Sequence, residues 1–440
     1  MGEGTVGRLF LERRNRVCLL VAAILLLPIA APAVADAMDL KLSSRTYGLI
    51  YERERPGGTK DRFAPLFEYL STDLENVGGK NVSFHFYGWG RVDLADDTGT
   101  DGTSGEIGSA YAEYLHPEGN AQAKLGRFFL TEGAAMDTID GAFVKMTTPV
   151  GLGVSLFGGI PVEYSEIPGR ENGDSLYGGR VFFARSGRIE LGVSYLKEEG
   201  SIRETDRELF GGDLWLQVIR GVELTGQAFY NDATHGMAYQ RYALRVVPGA
   251  TVDVSAGFES YDYKDLFGAT LNPAFAFPFL RQEDDVNSIF AIVDWEFMKG
   301  WTLEVVGKRI MHDLANPGDA TRGEVGLRHI YNKNMDVMGF STAFVAADLP
   351  ENEYREFRAF GTWSREKLRL TLDALAQDFE QRIAGKALAF QVVGTAGYRF
   401  LKALQLSGSL IWTDSPTLDK DVTGLVRLSY DLSATLGGKK

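Results

Sequence analysis

The residues able to do acid–base, nucleophilic or metal chemistry are few and scattered. The chain holds five histidines (His85, His116, His235, His312 and His329) and one cysteine, Cys18. A metal site needs His or Cys ligands at short spacing, and no His-x-x-x-His or Cys-x-x-Cys pattern occurs. His312-Asp313 is the one adjacent acid–base pair, in a polar stretch that reads as a solvated loop. No Walker loop for phosphates is present. The sequence therefore points away from an enzyme and implies no cofactor and no metal.

Charges that do show a spacing show a period of two. Along Asn81–Leu94, Val82, Phe84, Phe86, Gly88, Gly90, Val92 and Leu94 alternate with His85, Tyr87, Trp89, Arg91 and Asp93. Successive strand residues face opposite sides, so such a strand has one apolar and one polar face. The same alternation runs through 251–259, 367–377 and 423–432. The residues it places on polar faces are Arg91, Asp93, Lys145, Arg180, Glu190, Glu223, Asp253, Glu259, Asp294, Glu296, Glu304, Lys308, Arg358, Arg369, Asp373, Arg427 and Asp431. In a closed sheet crossing a bilayer the apolar faces meet lipid, and these charges line a water-filled lumen. Facing charges of opposite sign then set an ion preference.

The elements that position these residues are read from the turns. Short connections, such as Ser186-Gly187, Arg220-Gly221, Pro248-Gly249, Lys299-Gly300, Asn332-Lys333-Asn334 and Arg365-Glu366, alternate with longer polar ones at 96–105, 162–174, 262–285, 311–321, 379–386 and 414–421. Short periplasmic turns and longer extracellular loops are the pattern of outer-membrane barrels. Segments between them give about 22 strands, or about 20 if 40–75 is a periplasmic or lumenal segment; the range is about 18–22. The predicted fold is all-β, a transmembrane antiparallel up-and-down barrel filling residues 38–440 as one domain. A soluble sandwich or propeller also alternates. The charged polar faces and the loop asymmetry weigh against it. Trp215, Trp295, Trp301, Trp363 and Trp412 read as interfacial anchors near strand ends, whereas Trp89 points inward.

Residues 1–37 read as a cleaved signal peptide. Arg8, Arg13, Arg14 and Arg16 precede the apolar run Val17–Ala31, and Ala33-Val34-Ala35-Asp36-Ala37 offers Ala-x-Ala cleavage sites. The run is short for a spanning helix, and no later stretch holds 18 apolar residues in a row, which excludes a helical membrane protein. Cys18 lies within this segment, so the exported chain has no disulfide and no thiolate site. The formal net charge of −13 excludes a nucleic-acid partner, which demands a basic face.

Gly88-Trp89-Gly90-Arg91-Val92-Asp93, Leu125-Gly126-Arg127-Phe128, Ile139-Asp140-Gly141 and Gly159-Ile160-Pro161-Val162 together resemble motifs of porin-like outer-membrane channels of metal-reducing and related proteobacteria. The resemblance covers most of 40–165 and only the general barrel pattern beyond. It implies a barrel channel acting alone, passing ions or small polar solutes, or a sleeve that holds a multihaem cytochrome in an electron conduit. The expected partners are thus outer-membrane lipid and small solutes or ions, with the cytochrome as the alternative. Subunit number is not legible. One departure is the C-terminus, Leu436-Gly437-Gly438-Lys439-Lys440, where an aromatic is usual; the insertion signal is displaced toward Tyr430 and Leu432. Loop 131–140 and the Pro/Phe-rich loop 265–285 (Phe267, Pro273, Phe275, Phe277, Pro278, Phe279) are the segments expected to fold inward and narrow the pore; the second is equally readable as a docking surface.

Overall fold

The computed structural model describes residues 38–54, 60–95, 103–162, 175–199, 207–267, 285–313, 318–332, 336–416 and 418–437. The proposed signal peptide and most of loop 265–285 lie outside them. Among the described residues no helix is long and apolar enough to cross a membrane.

The strands are β1 (Met38–Glu54), β2 (Pro65–Glu75), β3 (Val82–Asp93), β4 (Thr103–Leu115), β5 (Ala121–Glu132), β6 (Ala135–Thr147), β7 (Leu152–Pro161), β8 (Ser175–Arg185), β9 (Ile189–Glu199), β10 (Arg207–Ile219) and β11 (Val222–Asn231). They continue as β12 (Gly236–Val246), β13 (Val252–Asp262), β14 (Asp285–Met298), β15 (Trp301–His312), β16 (Ala320–Ile330), β17 (Val337–Ala347), β18 (Tyr354–Arg365), β19 (Leu368–Ile383), β20 (Lys386–Arg399), β21 (Leu404–Asp414) and β22 (Asp421–Leu436). A short piece, Lys60–Phe63, prolongs β2 beyond Ala64 and pairs with Tyr51–Glu54. The break falls at Pro65, which has no N–H to give to the ladder. Each strand pairs antiparallel with its sequence neighbours, and β1 closes on β22 from Met38↔Leu436 to Ile50↔Gly424. The chain is a closed 22-strand antiparallel β-barrel. Within 40–75, the weakest part of the sequence pattern, β1 and β2 are integral parts of the wall.

Two faces follow from the pleat. Val181, Val193, Leu244, Phe340, Leu372 and Val426 are large apolar side chains exposed on one face, with no protein core to cover them. This is what an apolar face turned to lipid requires. Trp295, Trp363 and Trp412 lie on it, and Trp301 stacks on His329 at a ring separation of 4.1 Å. Trp215 corrects the girdle reading: it shares the inner face with Asp213 two residues away, because Leu214 and Leu216 take the outer one.

Two expected long loops are not loops. β19 runs to Ile383, and Ala384-Gly385, both at positive φ, turns the chain tightly into β20. Likewise 131–140 is mostly strand, with a turn of only Gly133-Ala134 between β5 and β6. In both cases strand pairing continues to a two-residue turn, Ile383↔Lys386 in one and Glu132↔Ala135 in the other, where the sequence lacks the period.

A turn on the opposite end illustrates how ends are tied. Buried Asp336 accepts from the backbone of Ser364 at 2.6 Å and from Asn332 Nδ2 at 2.5 Å, while its own N–H donates to Asn332 Oδ1 at 3.0 Å. Burial alone pushes the carboxyl up, but these donors outweigh it and hold its pKa below the ordinary value. A depressed folded pKa contributes stability that is present above the unfolded pKa and lost as pH falls through the folded one. Asp336→Ala should cost about 1–3 kcal/mol, read as a lower urea midpoint at neutral pH. Its difference from wild type should shrink at acidic pH.

Candidate functional site

The β5–β6 hairpin does not stay in the wall. The β4–β5 ladder runs only from Leu115↔Gln122 to Ala110↔Arg127. At the fork Gly126 has φ +126°, and a Cβ there would lie 2.3 Å from the Ala110 carbonyl oxygen, so only glycine permits the bend. Beyond it the hairpin enters the barrel. Its tip rests on the inner face of β8 and β9, opposite the outward-facing Val181 and Val193. Ala134 N–H donates to Ser194 Oγ at 3.0 Å. Gly133, at φ +60°, packs so closely that a Cβ would lie 2.3 Å from Ser194 Cβ.

Apolar side chains seat the hairpin. Phe128, Leu130, Ala134, Ala135 and Ile139 form a buried cluster with Leu176, Leu196, Leu209, Phe229 and Ala238 from the inner faces of β8–β12. A short helix, α1 (Tyr263–Phe267), adds Leu266 to it. Asn231 Nδ2 anchors α1 by donating to the Asp265 carbonyl at 2.7 Å. Two inward-folded segments therefore occupy one sector of the interior.

Charges surround this sector. Arg180 is buried and bridges Glu132 of the hairpin (3.2 Å), Glu190 (2.9 Å) and Asp213, whose Oδ1 accepts from Nε at 2.9 Å. Lys145 reaches Glu132 at 3.1 Å and lies 4.7 Å from the Phe182 ring centroid; Arg180 sits on the same ring at 4.9 Å. Arg207 holds Asp137 at 2.5 Å and Glu198 at 2.9 Å. The set has five carboxylates (Glu132, Asp137, Glu190, Glu198, Asp213) against three cations (Lys145, Arg180, Arg207).

All seventeen charged residues singled out in the sequence lie on the strand face opposite the exposed apolar one. The structure brings only Lys145, Arg180 and Glu190 to the hairpin. Arg358 pairs with Asp373 at 2.6 Å, in a second network where Arg322 joins Glu324 and Glu356, each at 2.7 Å. Arg245 bridges Asp253 at 2.5 Å and Glu223 at 3.8 Å; Asp431 meets Arg45 at 2.7 Å; Glu259 accepts from Tyr239 Oη at 3.1 Å. Asp294 and Glu304 are cross-strand neighbours, as are Arg91 and Gly105's neighbour Ser104, while Lys308 lies opposite Phe290. Arg369 and Arg427 lie on β19 and β22 away from the hairpin. Two of the seventeen hold backbone: Asp93 is buried and accepts from Ala64 and Ala95 N–H at 3.1 Å each, and Glu296 accepts from Gly300 N–H at 2.8 Å. Sequence reading missed Asp213, Arg207 and Ser194, and held Glu132 only as part of the inward segment 131–140. The available signal was Phe128-Phe129-Leu130, apolar on both faces where a lumen strand should alternate.

No family model matches the chain, and no curated protein matches it. Solved structures do. The siderophore receptor PirA from Pseudomonas aeruginosa aligns with TM-score 0.57 at 11% identity, over 89% of this chain and 80% of that one. A mutant of the ferric enterobactin receptor PfeA from the same organism gives 0.54 at 10%, over 89% and 80%. Acinetobacter baumannii OccAB4 aligns at 0.43 and 9% identity, over 92% and 100%. At these identities the likeness is one of fold: the chain is a 22-strand barrel resembling outer-membrane proteins.

Proposed function

We propose that the chain is an outer-membrane channel for ions or small polar solutes, narrowed from within by the β5–β6 hairpin. The observation that carries this reading is the hairpin tip seated through Ala134 and Ser194 on the inner wall, with buried Arg180 of β8 tying it to β9 and β10. A wall of 22 strands encloses a wide interior, so a fixed inward segment turns a hole into a filter. The excess of carboxylates over cations at the hairpin favours cations. The other charged residues on the inner face keep the remaining interior wetted. The sleeve reading is less favoured, because the hairpin and α1 take up interior room that a lumenal cytochrome needs. Single-channel recording in planar bilayers tests the proposal: stepwise currents with a reversal potential on the cation side of zero in a salt gradient are expected. A folded, heat-modifiable barrel that never conducts in the absence of other proteins would falsify it.

A further inference from the structure

The outer face is not uniformly apolar. On β5, Arg127 shares its face with exposed Leu125 and pairs with outward Ala110; on β6, Asp140 shares its face with exposed Val144 and Met146. The two form a bidentate pair across the β5–β6 ladder, Nε–Oδ1 2.7 Å and Nη2–Oδ2 2.8 Å. Both stand near the middle of their strands. On β2, Glu68 shares the face of Leu66 and Leu70 and accepts from Ser44 Oγ at 2.6 Å and Thr46 Oγ1 at 2.5 Å. Elsewhere on the wall outward charges stand singly, such as Arg309, fourth from the loop end of β15, and Arg355, second in β18, whereas Glu68, Arg127 and Asp140 cluster in one sector. Charges and hydroxyls at mid-height are poorly accommodated by hydrocarbon.

A second observation marks the same sector. Above Ala110↔Arg127 the hairpin has left the wall, so the Thr103–Ser109 edge of β4 has no β5 partner in the ladder. Arg127 Nη1 reaches across the fork to the Ile107 carbonyl at 2.9 Å. An open strand edge within a membrane needs cover.

We propose that the β1–β6 outer face is the contact surface for a second copy of this chain, related by a two-fold axis along the membrane normal between β3 and β4. Charge complementarity selects this occupant. An axis there exchanges β2 with β5, setting Glu68 of each copy toward the Arg127–Asp140 pair of the other, as an isologous contact demands. Near the axis the outward residues interleave small and large, Gly88 and Gly90 after Phe84 and Phe86 on β3, and Ala110 and Ala112 beside Ile107 on β4, so each copy offers both knobs and recesses to the other. The partner wall then covers the open edge of β4.

The proposal depends on the barrel crossing a membrane but not on what it conducts. The test is cysteine cross-linking of the full-length protein in native outer membranes, with heat-modifiability as the separate check of the barrel. Ala110→Cys, beside the axis, should give a disulfide-linked homodimer on mild oxidation, and Leu244→Cys on the far wall should not. Glu68→Lys should abolish the Ala110→Cys cross-link, and combination with Arg127→Glu should restore at least part of it. Equal cross-linking at both positions, no dimer from a heat-modifiable barrel, or an adduct with a different protein alone each overturns the proposal.

Discussion

Arg180→Ala is expected to lower the unfolding free energy by about 3–5 kcal/mol, the cost of stripping one partner from a buried charge network. Its side chain is 6% exposed and holds carboxylates on three elements: Glu132 on the hairpin, Glu190 on β9 and Asp213 on β10. Removal leaves Glu132, itself 6% exposed, bridged by Lys145 alone among the described residues, and strips Asp213 of its bidentate partner. The guanidinium fork also matters. Lysine supplies a point charge and cannot span Nε–Oδ1 on Asp213 while reaching the other two acids. Arg180→Lys should therefore recover only part of the loss. Arg358→Ala is the control: that pair is half exposed, at 50% and 39%, and its loss should cost no more than about 1 kcal/mol. Urea midpoints in detergent or vesicles decide the matter. Equal midpoints for the Arg180 and Arg358 variants would mean that Arg180 is solvated and the hairpin is not held by it. In conductance the same substitution should raise cation preference, since it removes positive charge from a set already rich in carboxylates.

Much of the wall was legible from chemistry that repeats. Period-two alternation and glycine turns such as Gly187, Gly221 and Gly300, all at positive φ, fix strand number and polarity without any knowledge of tertiary contacts. Charged residues on polar faces follow directly, which is why all seventeen fall on one side of the sheet. What stayed hidden depends on departures from the repeat. The hairpin leaves the wall because of a single backbone value at Gly126, and a glycine in a strand reads equally as a bulge or a weak pairing site. Gly108 provides the comparison: it is an ordinary bulge between Tyr87↔Ser109 and Gly88↔Ile107, with β4 remaining in the wall. Residues Arg127 and Asp140 were visible as a motif, but their placement on the outer face depends on the register around that fork. The ion network at Arg180 joins residues 48 and 33 positions away in sequence, a pairing that no local pattern encodes.

Gly133→Val should free the hairpin and raise single-channel conductance several-fold while the barrel stays heat-modifiable. Two costs combine at this position. Valine is β-branched and poorly tolerated at φ +60°, and its Cβ would begin 2.3 Å from Ser194 Cβ, inside contact distance. Relief requires the tip to lift, which breaks the Ala134 N–H to Ser194 Oγ bond and opens the cluster around Leu130 and Ile139. The strain is about 1–3 kcal/mol, small beside the 22-strand ladder but comparable to the docking of one tight turn. The wall should therefore survive while the tip moves. A lock supplies the converse. Ala134→Cys with Ser194→Cys sets one thiol on each of two residues whose backbone N–H and Oγ now meet at 3.0 Å; the oxidised pair should hold conductance at the wild-type level and suppress any spontaneous larger openings. If Gly133→Val leaves both conductance and ion preference unchanged, and the oxidised pair behaves as wild type in every respect, the hairpin does not limit the pore. The narrowest point would then lie elsewhere on the inner face, with the Arg322–Glu356 and Arg358–Asp373 network as the next position to test.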